Sequence, residues 1–231
     1  MTASNSPQPQ PESHKAQPWN GILEDYIFHD FVISAELSNI SLDLLREEVK
    51  IIENRYPEGG INASHRGGYH SPRFLYAPNL KPQHLQWPTP EFKKLESTTI
   101  DFANMVLEKA NYSPVPVNKS SSWFMRNKQG DYNEKHVHGR ADLIAVFYID
   151  VPENSGELCL INNNGKSYTT LTHTDECYLV SIMESRVYLF PGHLWHSVEA
   201  NLNAKDRISV SFNLYLESMW EEEDTIEAAA S

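Results

Sequence analysis

The stretch that decides the fold is FPGHLWHSVEANLNAKDRISVSFNLYL, residues 190–216. In its second half, polar residues alternate with the apolar residues Ile208, Val210, Phe212 and Leu214. Because the side chains of a β-strand point alternately to its two faces, this pattern predicts a strand with one polar and one apolar face. The polar face either meets solvent or lines a ligand cavity, with helices covering the apolar face.

The same stretch carries His196 and, eleven residues later, Arg207; the motif HVH, with His136 and His138, begins sixty residues before His196. Imidazoles at i and i+2 point to the same side of a strand. Together with a third imidazole they could hold a metal and leave positions open for a cosubstrate and O2, as a non-heme iron oxygenase requires. Arg207 would hold the far carboxylate of a keto-acid cosubstrate, and the Ser209 hydroxyl would point the same way.

Other residues compete for the metal role. His193 is an alternative third ligand, but the spacing of His196 to Arg207 allows a strand, a turn and a return strand with both side chains directed inward. Glu134 and Asp142 could each supply a carboxylate, yet neither has the i+2 spacing, and both are expected to be solvated. An HVH pair alone is a weak signal, so the prediction depends on the order and spacing of the whole set.

Two helices are predicted before the histidines, from about Ser38 to Asn54 and from Thr89-Pro90 to about Ala110, because apolar residues recur there at helical steps. From Ser120 onward, short β-type runs alternate with turn signals. The fold class expected is mainly β with N-terminal helices, as a sandwich or barrel that the helices cover.

The predicted organisation is one domain between two tails. Residues 1–18, rich in Pro, Gln and Ser, are expected to form a disordered N-terminal tail, and residues 221–231 an acidic C-terminal tail. Residues 19–220 form the single domain, with helical support at about 36–110 and a β core at about 120–217.

Composition argues against several classes of function. Thirty-one acidic against nineteen basic residues give a net charge of −12, so no nucleic-acid partner is expected. There is no membrane-spanning apolar run and no secretory signal, so the predicted location is cytoplasmic. Cys159 and Cys177 could form one disulfide, but a reduced pair of core residues is the preferred interpretation. No zinc-finger spacing, phosphate loop or nucleophilic triad competes.

Three segments resemble the Fe(II)/2-oxoglutarate-dependent dioxygenase superfamily, and most of all a branch of bacteria and phages with an HxH motif. They are SHRGGYHS at 64–71, SSWFMRNKQGDYNEKHVHGRADLIAVFYIDVP at 121–152, and FPGHLWHSVEANLNAKDRISVSFN at 190–213. The third is the most specific, because it resembles the family's distal histidine and arginine signature. The resemblance runs from about Leu37 to Leu216.

This resemblance implies a double-stranded β-helix core (jelly-roll or cupin-like) that binds Fe(II), 2-oxoglutarate as cosubstrate and O2. It implies oxidative decarboxylation of 2-oxoglutarate to succinate and CO2, coupled to hydroxylation of an unidentified small-molecule or peptidyl substrate. Tyr148 stands where the branch has a double tyrosine, and it could bind 2-oxoglutarate or be an ordinary core residue. Tyr69, His70 and Ser71 could form the substrate mouth; the alternative is a packed connecting loop.

One position departs from most of the superfamily, which carries a carboxylate where His138 stands. Three neutral imidazoles would leave the iron site one unit more positive. We prefer a three-histidine site to a vacant position that water or a halide fills. Two other functions stay open: a three-histidine cupin-type dioxygenase that uses no keto acid, and a non-catalytic jelly-roll binding module.

Overall fold

The computed structural model describes residues 19–27, 30–60, 64–110, 115–161 and 177–216. The two predicted tails, residues 1–18 and 221–231, lie outside the described residues. In chain order the elements are β1 (Trp19–Ile27), β2 (Asp30–Leu37), α1 (Leu42–Arg55), β3 (His65–Arg66), β4 (Tyr69–His70), β5 (Phe74–Tyr76), α2 (Pro90–Lys109), β6 (Val117–Asn127), β7 (Tyr132–His136), β8 (Leu143–Asp150), β9 (Leu158–Ile161), β10 (Cys177–Val180), β11 (Arg186–Pro191), β12 (Trp195–Val198) and β13 (Arg207–Leu216).

Both predicted helices are confirmed. Helix α1 follows the cap residue Ser41, and α2 begins at Pro90, whose fixed backbone suits a first helical position. The carboxylate of Glu48 in α1 accepts the backbone N–H groups of Glu91 and Phe92, each at 2.9 Å, so α1 satisfies donors that the start of α2 leaves free. No helix in the described ranges is both long enough and apolar enough to cross a membrane.

The strands form two antiparallel sheets. In the larger sheet the order is β1-β2-β11-β8-β13-β6-β4, with β5 also paired to β6; in the smaller it is β10-β9-β12-β7-β3. One hydrophobic core joins the helices to one face of the larger sheet, and a second joins its other face to the smaller sheet. Two facing sheets with helices on one side are the mainly β jelly-roll class that the sequence predicts.

Strand β13 decides which face holds the cavity. Its apolar residues Ile208, Val210, Phe212 and Leu214 are buried in the core that contains the helices. Its polar residues Ser209, Ser211 and Asn213 line a cavity between the two sheets. Of the two alternatives for this strand, the cavity is therefore confirmed, and the helices cover the apolar face.

Strands β1 and β2, which extend the larger sheet beyond β11, were not predicted from the sequence. In β2, Ile33 and Ala35 belong to the helix-side core, whereas Val32 belongs to the core between the sheets. A strand that is buried on both faces carries a nearly continuous apolar run, so it lacks the alternation that identifies half-buried strands.

The two cysteines are joined by a disulfide, which differs from the reduced pair that the sequence favoured. Cys159 lies in β9 and Cys177 in β10, with their Cα atoms 5.7 Å apart. Antiparallel pairing of these strands brings together residues that are 18 positions apart in the chain.

A short connection links the two sheets next to the cavity. Strand β3 pairs with β7 in the smaller sheet, and β4 pairs with β6 in the larger one. Between them lie Gly67 and Gly68, both with positive φ, at 78° and 73°. These backbone angles are easily adopted only by glycine, so the two residues allow the chain to turn from one sheet to the other.

Candidate metal centre and cosubstrate pocket

The fold brings the three predicted histidines together at the cavity wall. His136 ends β7 and lies directly opposite His196 of β12 in the strand register. His138 follows two residues after the end of β7, where its backbone N–H donates to the Gly192 carbonyl at 3.3 Å. The ring centroids of His136 and His196 are 4.2 Å apart, and each is 5.0 Å from that of His138. One nitrogen from each ring lies within 4.8 Å of the others, so the three could hold a metal ion.

Each of these rings uses its Nδ1 in a hydrogen bond to a carbonyl oxygen. The pairs are His136 with the Glu134 carbonyl at 2.7 Å, His138 with the Asn213 side-chain oxygen at 2.5 Å, and His196 with the Leu194 carbonyl at 3.0 Å. A carbonyl oxygen can only accept, so each Nδ1 carries the proton. Each Nε2 therefore keeps a lone pair for a metal, the arrangement that orients histidine ligands in metalloproteins.

Burial keeps these imidazoles neutral. It is the largest cause of a lowered pKa at all three residues. The pKa of His136 is lowered, that of His138 falls to about 4, and that of His196 falls well below the ordinary value. A positive charge on one ring would also oppose protonation of its neighbours. Neutral imidazole is the form that binds a metal, so the site is ready for one at neutral pH.

The competing candidates lie outside this cluster. The His193 side chain is 72% exposed, and its Nε2 lies 3.0 Å from Asp30. Glu134 pairs with Arg66, whose Nε donates to it at 2.9 Å. Asp142 lines the cavity but accepts a backbone N–H from the end of β13 at 2.9 Å. Of the five candidates to join His136, the structure thus places His138 and His196 with it.

The cavity has a volume of about 1090 Å³, and the three histidines form part of its lining. Part of its wall is apolar, and this part consists of Trp123, Met125, Ile144, Val146, Leu158 and Val198. A concave site with apolar walls and a few polar groups is typical of small-molecule sites.

The predicted cosubstrate residues lie at one end of β13. Ser209 and Tyr148 are paired across β13 and β8, and both line the cavity. Arg207 is 1% exposed, and its Nη1 donates to the backbone carbonyls of Ser155 and Glu199, the latter at 3.0 Å. Within the described part of the chain, neither the buried Nη2 of Arg207 nor the buried Tyr148 hydroxyl has a hydrogen-bond partner. Leaving such a group unpaired costs about 1–3 kcal/mol, so a bound carboxylate would suit both.

Arg207 and Tyr148 also interact electrostatically. Burial raises the pKa of the Tyr148 phenol, and the positive charge of Arg207 opposes that rise. Burial likewise lowers the pKa of the Arg207 guanidinium, and Tyr148 is the first influence that opposes it. Arg207 and Tyr148 are therefore close enough to influence each other, although only Tyr148 of the two lines the cavity.

Of the three predicted mouth residues, only His70 lines the cavity. Its ring stacks on that of Trp123, with centroids 5.5 Å apart. Tyr69 points the other way, where its hydroxyl donates to the Tyr56 carbonyl at 2.8 Å, and Ser71 is fully buried. Because neighbouring residues of an extended segment face opposite sides, His70 alone reaches the cavity.

Three residues beside the histidine cluster were not predicted from the sequence. Trp123 stacks on His138, with ring centroids 5.7 Å apart, and the Arg73 guanidinium lies 5.0 Å from the Trp123 centroid. Asn213 was assigned only to the polar face of its strand, yet its side chain contacts His138. Its shared face with Ser209 and Ser211 is the one signal that could have identified it.

Comparisons with known proteins agree with this geometry. Residues 121–213 match the model of a family described as "Putative 2OG-Fe(II) oxygenase". Solved structures with a similar fold include a Pseudomonas putida prolyl-4-hydroxylase, with 14% identity, a TM-score of 0.50, and 76% of this chain and 88% of that chain covered. They also include a Trichoplax adhaerens prolyl hydroxylase solved with a hypoxia inducible factor peptide fragment, with 14% identity, a TM-score of 0.51, and 88% of this chain and 86% of that chain covered. Another is the non-heme alpha-ketoglutarate-dependent carbocyclase SnoK from nogalamycin biosynthesis, with 13% identity, a TM-score of 0.51, and 85% of each chain covered. Curated protein sequences gave no match.

At such low identity the solved structures establish the fold, a double-stranded β-helix. The family match adds the chemistry, because the matched segment contains the three clustered histidines, Tyr148 and Arg207. The family match therefore indicates an oxygenase that uses Fe(II) and 2-oxoglutarate, and residues 121–213 are similar to the family described as "Putative 2OG-Fe(II) oxygenase".

Proposed function

We propose that this oxygenase hydroxylates its substrate while 2-oxoglutarate is converted to succinate and CO2, and that His136, His138 and His196 hold the Fe(II). The observation that carries the proposal is the clustering of three histidine rings in one cavity wall, with one nitrogen of each within 4.8 Å of the others. When bound, Fe(II) with 2-oxoglutarate and O2 supplies an oxidising power that no side chain possesses.

The protein's contribution at the metal is orientation and charge. The three rings are held by their Nδ1 hydrogen bonds, so each would bind through Nε2 without first changing its tautomer. Three neutral ligands also leave the two positive charges of the ion uncompensated. Such a site favours further anionic ligands, and 2-oxoglutarate is one.

The far carboxylate of 2-oxoglutarate is assigned to Arg207, Tyr148 and Ser209. The two backbone carbonyls that bind Nη1 of Arg207 restrain the guanidinium before any ligand arrives. Its Nη2 and the Tyr148 hydroxyl are buried donors that a carboxylate would satisfy. Preorganised donors bind an anion at a smaller entropic cost than flexible ones.

The remaining cavity is assigned to the substrate. The whole cavity, of about 1090 Å³, leaves room beside a cosubstrate for a small molecule or a short peptide segment, since ligand pockets commonly range from about 300 to 1,000 Å³. The apolar wall would exclude water from the reacting groups. A peptide accompanies one of the similar folds, the prolyl hydroxylase from Trichoplax adhaerens. That nucleic acid is not a partner, and that the protein is cytoplasmic, stay predictions.

One observation favours a second candidate, a three-histidine dioxygenase that uses no keto acid. The cluster consists of three histidines and includes no carboxylate, and three histidines are the ligand set of that class. Such an enzyme binds its substrate directly to the metal and does not need the buried donors of Arg207 and Tyr148. The two candidates therefore differ in whether 2-oxoglutarate binds.

The deciding experiment is an anaerobic titration of the Fe(II)-loaded protein with 2-oxoglutarate, followed by the visible charge-transfer band. Tyr148→Phe removes one buried hydroxyl at nearly constant volume, and we expect it to raise the dissociation constant of 2-oxoglutarate roughly 3- to 10-fold, the value of one hydrogen bond. The matched control is Tyr188→Phe, because the Tyr188 hydroxyl donates instead to the Ser181 carbonyl at 2.9 Å. His196→Ala should abolish iron binding.

A band in the wild-type protein that weakens in Tyr148→Phe but not in Tyr188→Phe would support the proposal. Iron binding without a band would favour direct substrate ligation. A protein that binds no iron would refute both enzyme candidates and leave a binding module. Release of labelled succinate from labelled 2-oxoglutarate, measured by NMR, tests the turnover itself.

A further inference from the structure

We propose that Asn213 is a positioning residue for the third metal ligand, because its side-chain oxygen holds His138 in the tautomer that presents Nε2 to the metal. The inference rests on the proposed metal centre and adds to it a residue outside the ligand set. It explains how a histidine works at a position where most of the superfamily has a carboxylate.

The three ligands are not restrained in the same way. His136 and His196 each donate Nδ1–H to a backbone carbonyl two residues earlier, at Glu134 and Leu194. These acceptors belong to the local backbone and exist whatever side chain those positions carry. His138 donates instead to a side chain that lies 75 residues away in the chain. Only its tautomer therefore depends on the identity of another residue.

Asn213 is itself well fixed. It lies inside β13, paired with Ser121 of β6 on one side and Ile144 of β8 on the other, and it is 8% exposed. Its side chain also contacts Tyr215: burial raises the pKa of that phenol, and a hydrogen bond from Asn213 lowers it. That sign is the one expected when the amide N–H donates to the phenol oxygen. The amide oxygen is then left to face His138, as the structure shows.

The chemical consequence follows from the two ring nitrogens. Which nitrogen of a neutral imidazole carries the proton is set by the hydrogen bond that the other nitrogen makes. Without an acceptor at Nδ1, the proton can occupy Nε2, and that nitrogen then has no lone pair for a metal. The carbonyl oxygen of Asn213 prevents this at His138, which has no backbone acceptor in the described structure.

The test uses Asn213→Leu, which keeps the approximate size but removes the acceptor, and Asn213→Asp, which keeps an acceptor. The control is Ser211→Ala, on the same cavity face of β13 two residues earlier. The first readout is the tautomer of His138 in the metal-free protein, from two-bond ¹H–¹⁵N NMR correlations. We expect Nδ1–H in the wild type, Asn213→Asp and Ser211→Ala, and Nε2–H in Asn213→Leu.

The second readout is anaerobic titration with Co(II), a spectroscopic substitute for Fe(II). Asn213→Leu should weaken Co(II) binding by about 10- to 100-fold, the usual effect of removing a partner of a metal-bound histidine. Asn213→Asp should restore binding to at least the wild-type affinity, and Ser211→Ala should stay within about 2-fold of it. Rescue by aspartate separates a positioning role from a loss of packing.

Several results would overturn the inference. An Nε2–H tautomer in the wild-type protein contradicts it directly, whatever the variants do. Equal Co(II) affinity in the wild type and Asn213→Leu, or equal weakening in Asn213→Leu and Asn213→Asp, overturns it while leaving the proposed metal centre intact. If the wild type binds no Co(II), the metal centre fails and the inference fails with it.

Discussion

Single residues show two ways in which this protein buries polar groups. Arg207 and Tyr148, of which Tyr148 lines the cavity, keep buried donors without partners in the described structure. Behind β6, Glu96 is 4% exposed and accepts the hydroxyls of Ser120 and Ser122 at 2.6 and 3.0 Å. The donors of Arg207 and Tyr148 suit a ligand, whereas Glu96 forms part of the packing between α2 and the larger sheet.

Glu96 should make stability depend on pH. Burial raises its pKa from the ordinary 4.5 to about 7, although the two serine hydroxyls oppose the shift. Between these two pH values the folded protein holds a proton that the unfolded chain releases. The contribution of Glu96 to the free energy of unfolding is therefore greatest below pH 4.5 and is lost as the pH rises through 7. The loss should be roughly 3 kcal/mol at most.

Urea unfolding from pH 5 to pH 8 checks this prediction. In Glu96→Gln, the side chain cannot ionise, so the free energy of unfolding should fall less over this range than in the wild type. An equal pH dependence in both proteins would show that Glu96 does not titrate there. A variant at the exposed residue Glu47 serves as the control, and its pH dependence should match that of the wild type.

Among the elements, the β3–β4 connection places a strict requirement on its residues. Gly68 has a φ of 73°, and a Cβ there would lie 2.2 Å from the carbonyl oxygen of Arg126. That oxygen belongs to β6, the strand that also carries Trp123. A side chain at position 68 would therefore push β4 away from β6, next to His70 in the cavity wall.

Gly68→Ala should lower the free energy of unfolding by about 3 kcal/mol, through positive φ and the steric clash together. Gly130 is a matched control, since its φ is 90° but a Cβ would meet nothing within 4 Å. Gly130→Ala should cost only about 1 kcal/mol, the part due to φ. Equal losses in chemical denaturation of the two variants would show that the approach to Arg126 does not matter.

For the whole molecule, the proposed metal centre lies at a junction between the two sheets. His136 and His196 belong to the smaller sheet, and His138 is held by Asn213 of the larger one. A metal that binds all three would connect elements that are otherwise joined mainly by side-chain packing. A ligand that binds only the folded state also stabilises it by mass action.

Metal binding should therefore raise the thermal stability of the protein. At a Co(II) concentration about 100 times the dissociation constant, the gain should be roughly 2.7 kcal/mol. Calorimetry of His196→Ala should show no gain, whereas His193→Ala should respond like the wild type because His193 is exposed and outside the cluster. The reverse pattern would make His193 the third ligand.

The sequence by itself determined the features that depend on local periodicity and on the order of residues. Helical steps identified α1 and α2, alternation identified β13, and the spacing of the histidines before Arg207 indicated the chemistry. Each of these signals lies within a short window of the chain. Strand β2 was missed because burial on both faces removes the alternation.

Only the tertiary structure decided what depends on strand register and on which face meets which layer. Sheet pairing turned the polar face of β13 toward a cavity, placed His136 opposite His196, and brought Asn213 to His138 across 75 residues. It also turned His70 toward the cavity and Tyr69 away from it. A shift of one residue in register exchanges the faces of a strand, and no local pattern fixes the register between strands so far apart in the chain.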